Sequence, residues 1–228
     1  MPITIRERGS ELPTGLAERL RSVELPTLGH FLEVGFVDAG IRRMTGGGPL
    51  VGQAVTVRVV APDSALVHRA TELLGAGDVL VVDTGGDRRH APVGAVVAEA
   101  VAARGAAGIV IDGPCTDVAA LERLPLSVFA RGASALTTKL HALDAGGINI
   151  PVSIGGVAVL AGYVVIGADE GLLIADPEDV IAVLDRAQAS DAAEPERLER
   201  LRTGEPLTTV SAAGERLGAR IGRQTGGT

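Results

Sequence analysis

Residues 77–117 read GDVLVVDTGGDRRHAPVGAVVAEAVAARGAAGIVIDGPCTD, and this stretch decides the fold. Residues 79–82 are an unbroken apolar run closed by Asp83, the pattern of a strand buried on both faces. Gly94 opens a helix of Ala and Val that closes at Arg104-Gly105. Residues 109–111 form a second apolar run, closed by Asp112. Strand, helix, strand at this spacing is a right-handed βαβ unit with parallel, buried strands. Asp83 and Asp112 therefore stand at the carboxyl ends of adjacent strands, the edge where open α/β sheets receive ligands.

Outward from this unit, residues 53–61 (QAVTVRVVA) alternate like a strand, after a turn at 46–49. Asp63 or Ser64 caps a helix ended by Gly75. Towards the amino terminus, Thr14 reads as the cap of a helix that Pro26 stops, and a second helix is expected from Thr27 to Asp38-Ala39. Towards the carboxyl terminus come a short helix at 118–124, a strand at 126–130 and a Gly-rich block at 145–168 holding two buried strands. A strand at 172–175, a helix from Pro177 to about Ala189 and a polar helix at 195–202 follow. There is no internal repeat and no linker, so one domain over residues 1–228 is expected.

Composition narrows the class. The 228 residues carry 21 basic and 28 acidic side chains, and 46% are apolar but only 2% aromatic. Such a chain builds a large aliphatic core, and it lacks both the positive footprint and the stacking surface of a nucleic-acid binder. Cys115 is the sole cysteine, which excludes an intrachain disulfide and a Cys-rich metal site. The charged start, MPITIRERG, does not read as a signal peptide. Residues 145–168 carry no charge, yet their six glycines and Pro151 argue against a membrane span. A reduced, cytoplasmic protein with no membrane contact is the expectation. Lys139 is the sole lysine, so a Schiff-base mechanism has one candidate.

Two loops could carry chemistry. The loop 83–94 (DTGGDRRHAPVG) precedes a helix, so the free amides of Gly94, Ala95 and Val96 can receive a carboxylate, with Arg88 or Arg89 as a clamp. His90 stands between them as a candidate general acid or base. The turn 112–117 (DGPCTD) places Asp112 and Asp117 where two carboxylates can hold Mg2+ or Mn2+. Each loop also fits a plainer reading, a solvated turn for the first and helix-capping aspartates for the second. Cys115 reads as a small buried residue, and His30, His68 and His141 have no ligand spacing.

VGQAVTVRV (51–59), GDVLVVD (77–83), the A-x-x-G at 91–94, GAAGIVIDG-x-x-x-D (105–117) and GGVAVLAG…GADEGLLI (155–174) together resemble the RraA-like family. The likeness covers about residues 27–204, leaving 205–228 as a tail. It implies a compact α/β domain similar to the phosphohistidine swivelling domain, with a βαβ core and C-terminal helices, assembled as a homotrimer with sites between subunits. It also implies aldolase or decarboxylase chemistry: a divalent metal on Asp117, with Asp112, stabilises an enolate from a 2-oxo or 2-hydroxy acid. His90 and Arg89 then join Asp117 as catalytic candidates, and Gly94, Ala95, Val96, Arg88, Thr116 and Lys139 would meet the substrate. The chain departs from the family pattern at Thr116, where an Arg grips the pyruvyl carboxylate, and at Ala95 and Tyr163, where polar or acidic residues stand. Arg88 and Arg89 on the facing loop are the expected substitutes. A non-catalytic regulatory protein, or an enzyme with another substrate, is the alternative on the same scaffold.

Overall fold

The two apolar runs lie side by side in the middle of the main sheet. The computed structural model describes residues 2–211 and 213–218. Its strands are β1 (Thr4–Ile5), β2 (Arg42–Thr45), β3 (Leu50–Arg58), β4 (Asp78–Asp83), β5 (Gly108–Asp112), β6 (Ser127–Ala130), β7 (Gly147–Ile148), β8 (Val152–Ile154), β9 (Val157–Val159), β10 (Val164–Ala168) and β11 (Gly171–Ala175). Its helices are α1 (Leu16–Arg21), α2 (Leu25–Leu28), α3 (Ala65–Thr71), α4 (Ala95–Ala103), α5 (Val118–Leu121), α6 (Pro177–Arg202) and α7 (Leu207–Val210).

The main sheet runs β1-β7-β3-β4-β5-β6-β2, with β10 also paired to β3 and β11 to β10, while β8 and β9 form a separate hairpin. Strands β3, β4, β5 and β6 are parallel, the βαβ arrangement the sequence implies. Antiparallel pairs flank them, β2 on β6 and β7 and β10 on opposite halves of β3, and the edge strand β1 runs parallel to β7. Successive residues of β4 explain its unbroken apolar run. Leu80 and Val82 pack towards α3 and α4 with Val55, Val57, Ile109 and Ile111. Val79 and Val81 pack on the other face with Ala54, Val110, Phe129, Ile154 and Leu172. Burying each such aliphatic side chain contributes about 1.5–3 kcal/mol relative to leaving it exposed.

Three local expectations change. Residues 27–39 do not form a helix; α2 is one turn that starts at Leu25 and gives way at Gly29. Pro26 sits in its first turn, where the missing N–H is not needed, so the proline starts this helix instead of stopping the one before. The block 145–168 contributes to four strands, β7 to β10, because its glycine pairs turn the chain back early. The two C-terminal helices are one, α6, with Pro195 inside it. The residues between carry no glycine, and Arg197 donates to the carbonyl of Ser190, five residues before the proline.

The chain forms one compact unit up to Leu184 and a second from Asp185 onward. Of the tail, Leu207–Val210 form α7, and residues 212 and 219–228 lie outside the described residues. No helix among the described residues is long and apolar enough to cross a membrane.

Candidate active site

Strands β4 and β5 stop in register, Asp83 opposite Asp112, and the chain gathers around that pair. Asp83 is buried: Oδ1 accepts the Gly85 amide at 2.7 Å, and Oδ2 accepts the Ser153 amide at 3.2 Å with Arg58 Nη1 at 3.5 Å. Asp112 is engaged on both oxygens. Oδ2 accepts the Gly155 amide at 2.7 Å, and Oδ1 accepts Nε of Arg131, which leaves the end of β6. Arg131 also donates from Nη1 to Asp38 Oδ1 at 2.7 Å. The Thr84 hydroxyl lies 2.6 Å from the Asp112 carbonyl, tying the loop after β4 to the end of β5.

That loop builds a second polar unit. Asp87 Oδ1 accepts the amides of Arg89 at 2.7 Å and His90 at 3.4 Å, and Oδ2 lies 2.6 Å from His90 Nδ1. Burial alone would raise the Asp87 carboxyl, but the Arg89 amide and the His90 ring and amide together hold it below its ordinary value. A neutral His90 whose Nδ1–H donates a hydrogen bond to Asp87 Oδ2 keeps Nε2 as an acceptor. An orienting carboxylate behind an imidazole is the arrangement a proton-transfer residue needs.

Helix α4 starts at Gly94, and its head faces the turn after β5. Asp117 takes the left-handed conformation (φ 55°) and its Oδ2 accepts the Ala95 amide at 3.0 Å. A Cβ at Gly94 would lie 2.5 Å from Asp117 Oδ2 and 2.6 Å from Thr116 Cγ2, so the close approach requires glycine. The positive helix end has thus attracted a carboxylate, but one of the chain's own. The expected trio of amides is shared: Ala95 serves Asp117, and the Gly94 and Val96 amides have no such partner among the described residues. Asp117 is exposed, and its Oδ1 has no hydrogen-bond partner among the described residues. Cys115 is fully buried, with Sγ 3.5 Å from the Gly132 carbonyl. Burial first, then the Asp117 charge, pushes its thiol up, which is unsuited to a nucleophile.

A divalent ion can be weighed against these donors. No three His, Cys, Asp or Glu side chains gather into a metal cage among the described residues. Mg2+ seldom uses such a cage, since it keeps several waters and takes one or two carboxylates. Asp117 Oδ1 fits that need. Asp112, paired with it in the sequence reading, spends both oxygens inside the chain and anchors Arg131.

The remaining candidates separate. Arg88 and Arg89 are exposed. The charge of Arg88 reaches Asp38, whose carboxyl is held low first by the Arg131 hydrogen bond, then by the Gly40 amide. Thr116 is half-buried, its amide bonded to the Val93 carbonyl at 2.9 Å. Lys139 lies against the turn before α3, its amide donating to Pro62 at 2.6 Å and its carbonyl accepting from Ser64 at 3.0 Å, and the segment leading into it is bonded to Ala91, beside His90. Asp63 fixes that loop by accepting the amides of His141 and Leu143. Three residues that the sequence did not single out as functional enter the site: Asp87, Arg131 and Asp38. Asp87 was within reach of reasoning as the acid three positions before His90. Arg131 follows the same strand-end rule that selected Asp83 and Asp112, whereas nothing local marks Asp38.

The RraA-like family (Aldolase/RraA) matches residues 27–174. A 4-hydroxy-4-methyl-2-oxoglutarate aldolase of Thermus thermophilus is 36% identical over 124 residues, covering 54% of this chain and 73% of that protein. The solved structure of the RNA-processing inhibitor RraA from Thermus thermophilis superposes with a TM-score of 0.61 at 29% identity, over 67% of this chain and 92% of that one. An uncharacterised protein from Pseudomonas syringae pv. tomato shares the fold more widely, with a TM-score of 0.74 over 91% of this chain and 98% of that one, at 19% identity. With β4, β5 and the loops at their carboxyl ends all inside the matched stretch, the chain belongs to the RraA-like family.

Proposed function

We propose that this chain is a divalent-metal-dependent lyase of the aldolase or decarboxylase type, acting on a small 2-oxo or 2-hydroxy acid. The observation that carries this reading is His90, clamped through Nδ1 by Asp87 at 2.6 Å, on the loop that Thr84 ties to the end of β5. Asp117 Oδ1 would hold Mg2+ or Mn2+, with water completing its shell. When bound, the ion polarises the 2-oxo group and offsets the negative charge left by carbon–carbon cleavage. His90 Nε2 takes and returns the proton, and Asp87 steadies the charged ring. The Gly94 and Val96 amides and the Arg88–Arg89 rim offer positive charge to a substrate carboxylate. The name of the Thermus relative supports a carbon–carbon lyase. The trimer belongs to the same proposal: Val96, Leu136 and Leu140 leave apolar surface exposed that a neighbouring copy would cover.

The test is incubation with oxaloacetate and with 4-hydroxy-4-methyl-2-oxoglutarate, with Mg2+ or with a chelator, measuring pyruvate. Pyruvate from either substrate, abolished by the chelator, is expected; silence on both overturns the reading. A binding or regulatory role is the second reading. Thr116 in the place of an arginine and the fully engaged Asp112 favour it, as does the likeness to an RNA-processing inhibitor. An enzyme of the same fold with another substrate would share that silence, but not a binding protein's indifference to His90 substitution.

A further inference from the structure

Arg131 is nearly buried, its side chain 9% exposed, yet the chain uses only two of the three nitrogens of its guanidinium. Nε goes to Asp112 and Nη1 to Asp38. Nη2 donates to nothing among the described residues, and it is not one of their enclosed unpartnered atoms, so it reaches solvent. A guanidinium presents its donors as a planar fork matched to a carboxylate, and here one prong is open.

The other prong is held loosely. The Asp38 side chain is 56% exposed, and its Oδ1 takes both the Arg131 bond and the Gly40 amide at 2.9 Å. Oδ2 has no partner among the described residues. The Asp38 backbone is fixed separately: its amide donates to the Gly155 carbonyl at 3.0 Å, and its carbonyl accepts from Ile41 at 2.9 Å. The side chain can therefore swing out without moving the segment. Arg131 cannot follow it, because Asp112 anchors the guanidinium from behind, and Asp112 is itself fixed by Gly155. Arg88 adds positive charge at the same point. An exposed carboxylate seated on half of a buried, pre-aimed fork marks where a carboxylate from solution would bind on both prongs.

We propose that Arg131 is the carboxylate-recognising residue at this end of the sheet, and that Asp38 is an internal stand-in which a small carboxylate ligand displaces. The assignment rests on the lyase reading only for the ligand's being a 2-oxo acid, and it places the missing arginine at residue 131 instead of at Thr116.

Calorimetric titration with pyruvate, in chelator and at fixed ionic strength, tests it on wild type, Asp38→Asn, Arg131→Lys and the double variant, with melting curves to confirm folding. Asp38→Asn removes the competitor and tightens pyruvate about two- to fivefold, the size of an exposed ion pair. Arg131→Lys loses the fork and weakens it by about tenfold or more. In the Arg131→Lys background the gain from Asp38→Asn disappears. An unchanged or weaker affinity in Asp38→Asn overturns the proposal, as does a gain that survives in the double variant. Should Arg131→Lys fail to fold, the sign of the Asp38→Asn effect decides alone. The titration involves neither metal nor turnover. Pyruvate bound in this pattern by a chain that releases none from oxaloacetate would sink the lyase reading and leave Arg131 standing, and turnover without the pattern would do the reverse.

Discussion

The two ends of β4 carry the same residue type, bonded on both oxygens in each case, and differ in the groups gathered around it. At the amino end Asp78 is wholly buried, with Oδ2 accepting the Gly75 amide at 2.7 Å and Oδ1 bonded by Arg8. Gln53, its register partner on β3, accepts the Leu12 amide at 3.1 Å and donates to the Ser10 carbonyl at 2.7 Å. Together they strap residues 8–12 to the sheet, and their polar atoms are spent within the chain. At the carboxyl end Asp83 and Asp112 are equally spent, but the groups they position are not. Nε2 of His90, Oδ1 of Asp117 and Nη2 of Arg131 have no partner among the described residues. Polar groups satisfied inside the chain stabilise the fold, and those left half-satisfied at a strand end are the ones that can bind and react.

The largest expected effect separates the two ends by function. His90→Ala should lower turnover by about 10²–10⁴-fold while shifting the melting temperature little, since the ring's main bond is to a loop carboxylate. If the variant melts early and its folded fraction keeps full activity, His90 is structural and the contrast collapses. Next is the mirror case. Asp78→Ala should destabilise by about 3 kcal/mol by denaturant titration, because it breaks a buried pair whose arginine is about one-third exposed. Activity per folded molecule should not change. The pH dependence gives a sharper signature. Burial pushes the Asp78 carboxyl up, against the opposing Gly75 amide and Arg8. A proton is therefore held more tightly in the folded chain than in the unfolded one. This contribution to stability is complete below the ordinary value of 3.8 and is lost as pH rises through the higher folded value. Asp78→Asn should remove that slope.

The contrast also explains what could be read from the sequence. The βαβ core was legible because both faces of β4 and β5 are buried, which forces unbroken apolar runs, and because a strand-end aspartate punctuates each. Residues 29–41 were not, since their conformation rests on contacts with distant segments, such as Val37 with Leu172 and Asp38 with Gly155. Within the site, residues carried on one loop are legible together, as with His90 and its flanking arginines. Asp38 and Arg131 lie 93 positions apart and meet only through the sheet order, which no local spacing encodes. The same limit hides the use of Asp117. Sequence spacing makes it a capping carboxylate for α5, yet the helix it serves is α4, 22 residues earlier in the chain.

That cross-capping yields a smaller prediction. Gly94 has an extended backbone that alanine adopts freely, so only the contact with Asp117 and Thr116 opposes a methyl group there. Gly94→Ala should cost about 1 kcal/mol, the scale of one lost helix cap. It should raise the Mg2+ concentration needed for half-maximal activity, because Asp117 is pushed from its seat. An unchanged Mg2+ requirement in a destabilised variant would mean that Asp117 caps α4 and nothing more, making the carboxyl end as self-contained as the amino end.

The smallest effect is expected at Lys139, the sole lysine. A lysine that forms a Schiff base must be held in surroundings that favour its neutral form, by desolvation or a neighbouring cation. Lys139 has an exposed side chain, and its backbone is committed to Pro62 and Ser64 at the start of α3. Lys139→Ala should therefore leave turnover unchanged, and borohydride with pyruvate should label nothing. A labelled Lys139 would move the chemistry to the loop that Asp63 organises. The unspent groups at the end of β4 would then be bystanders, which makes a null experiment the most direct attack on the comparison.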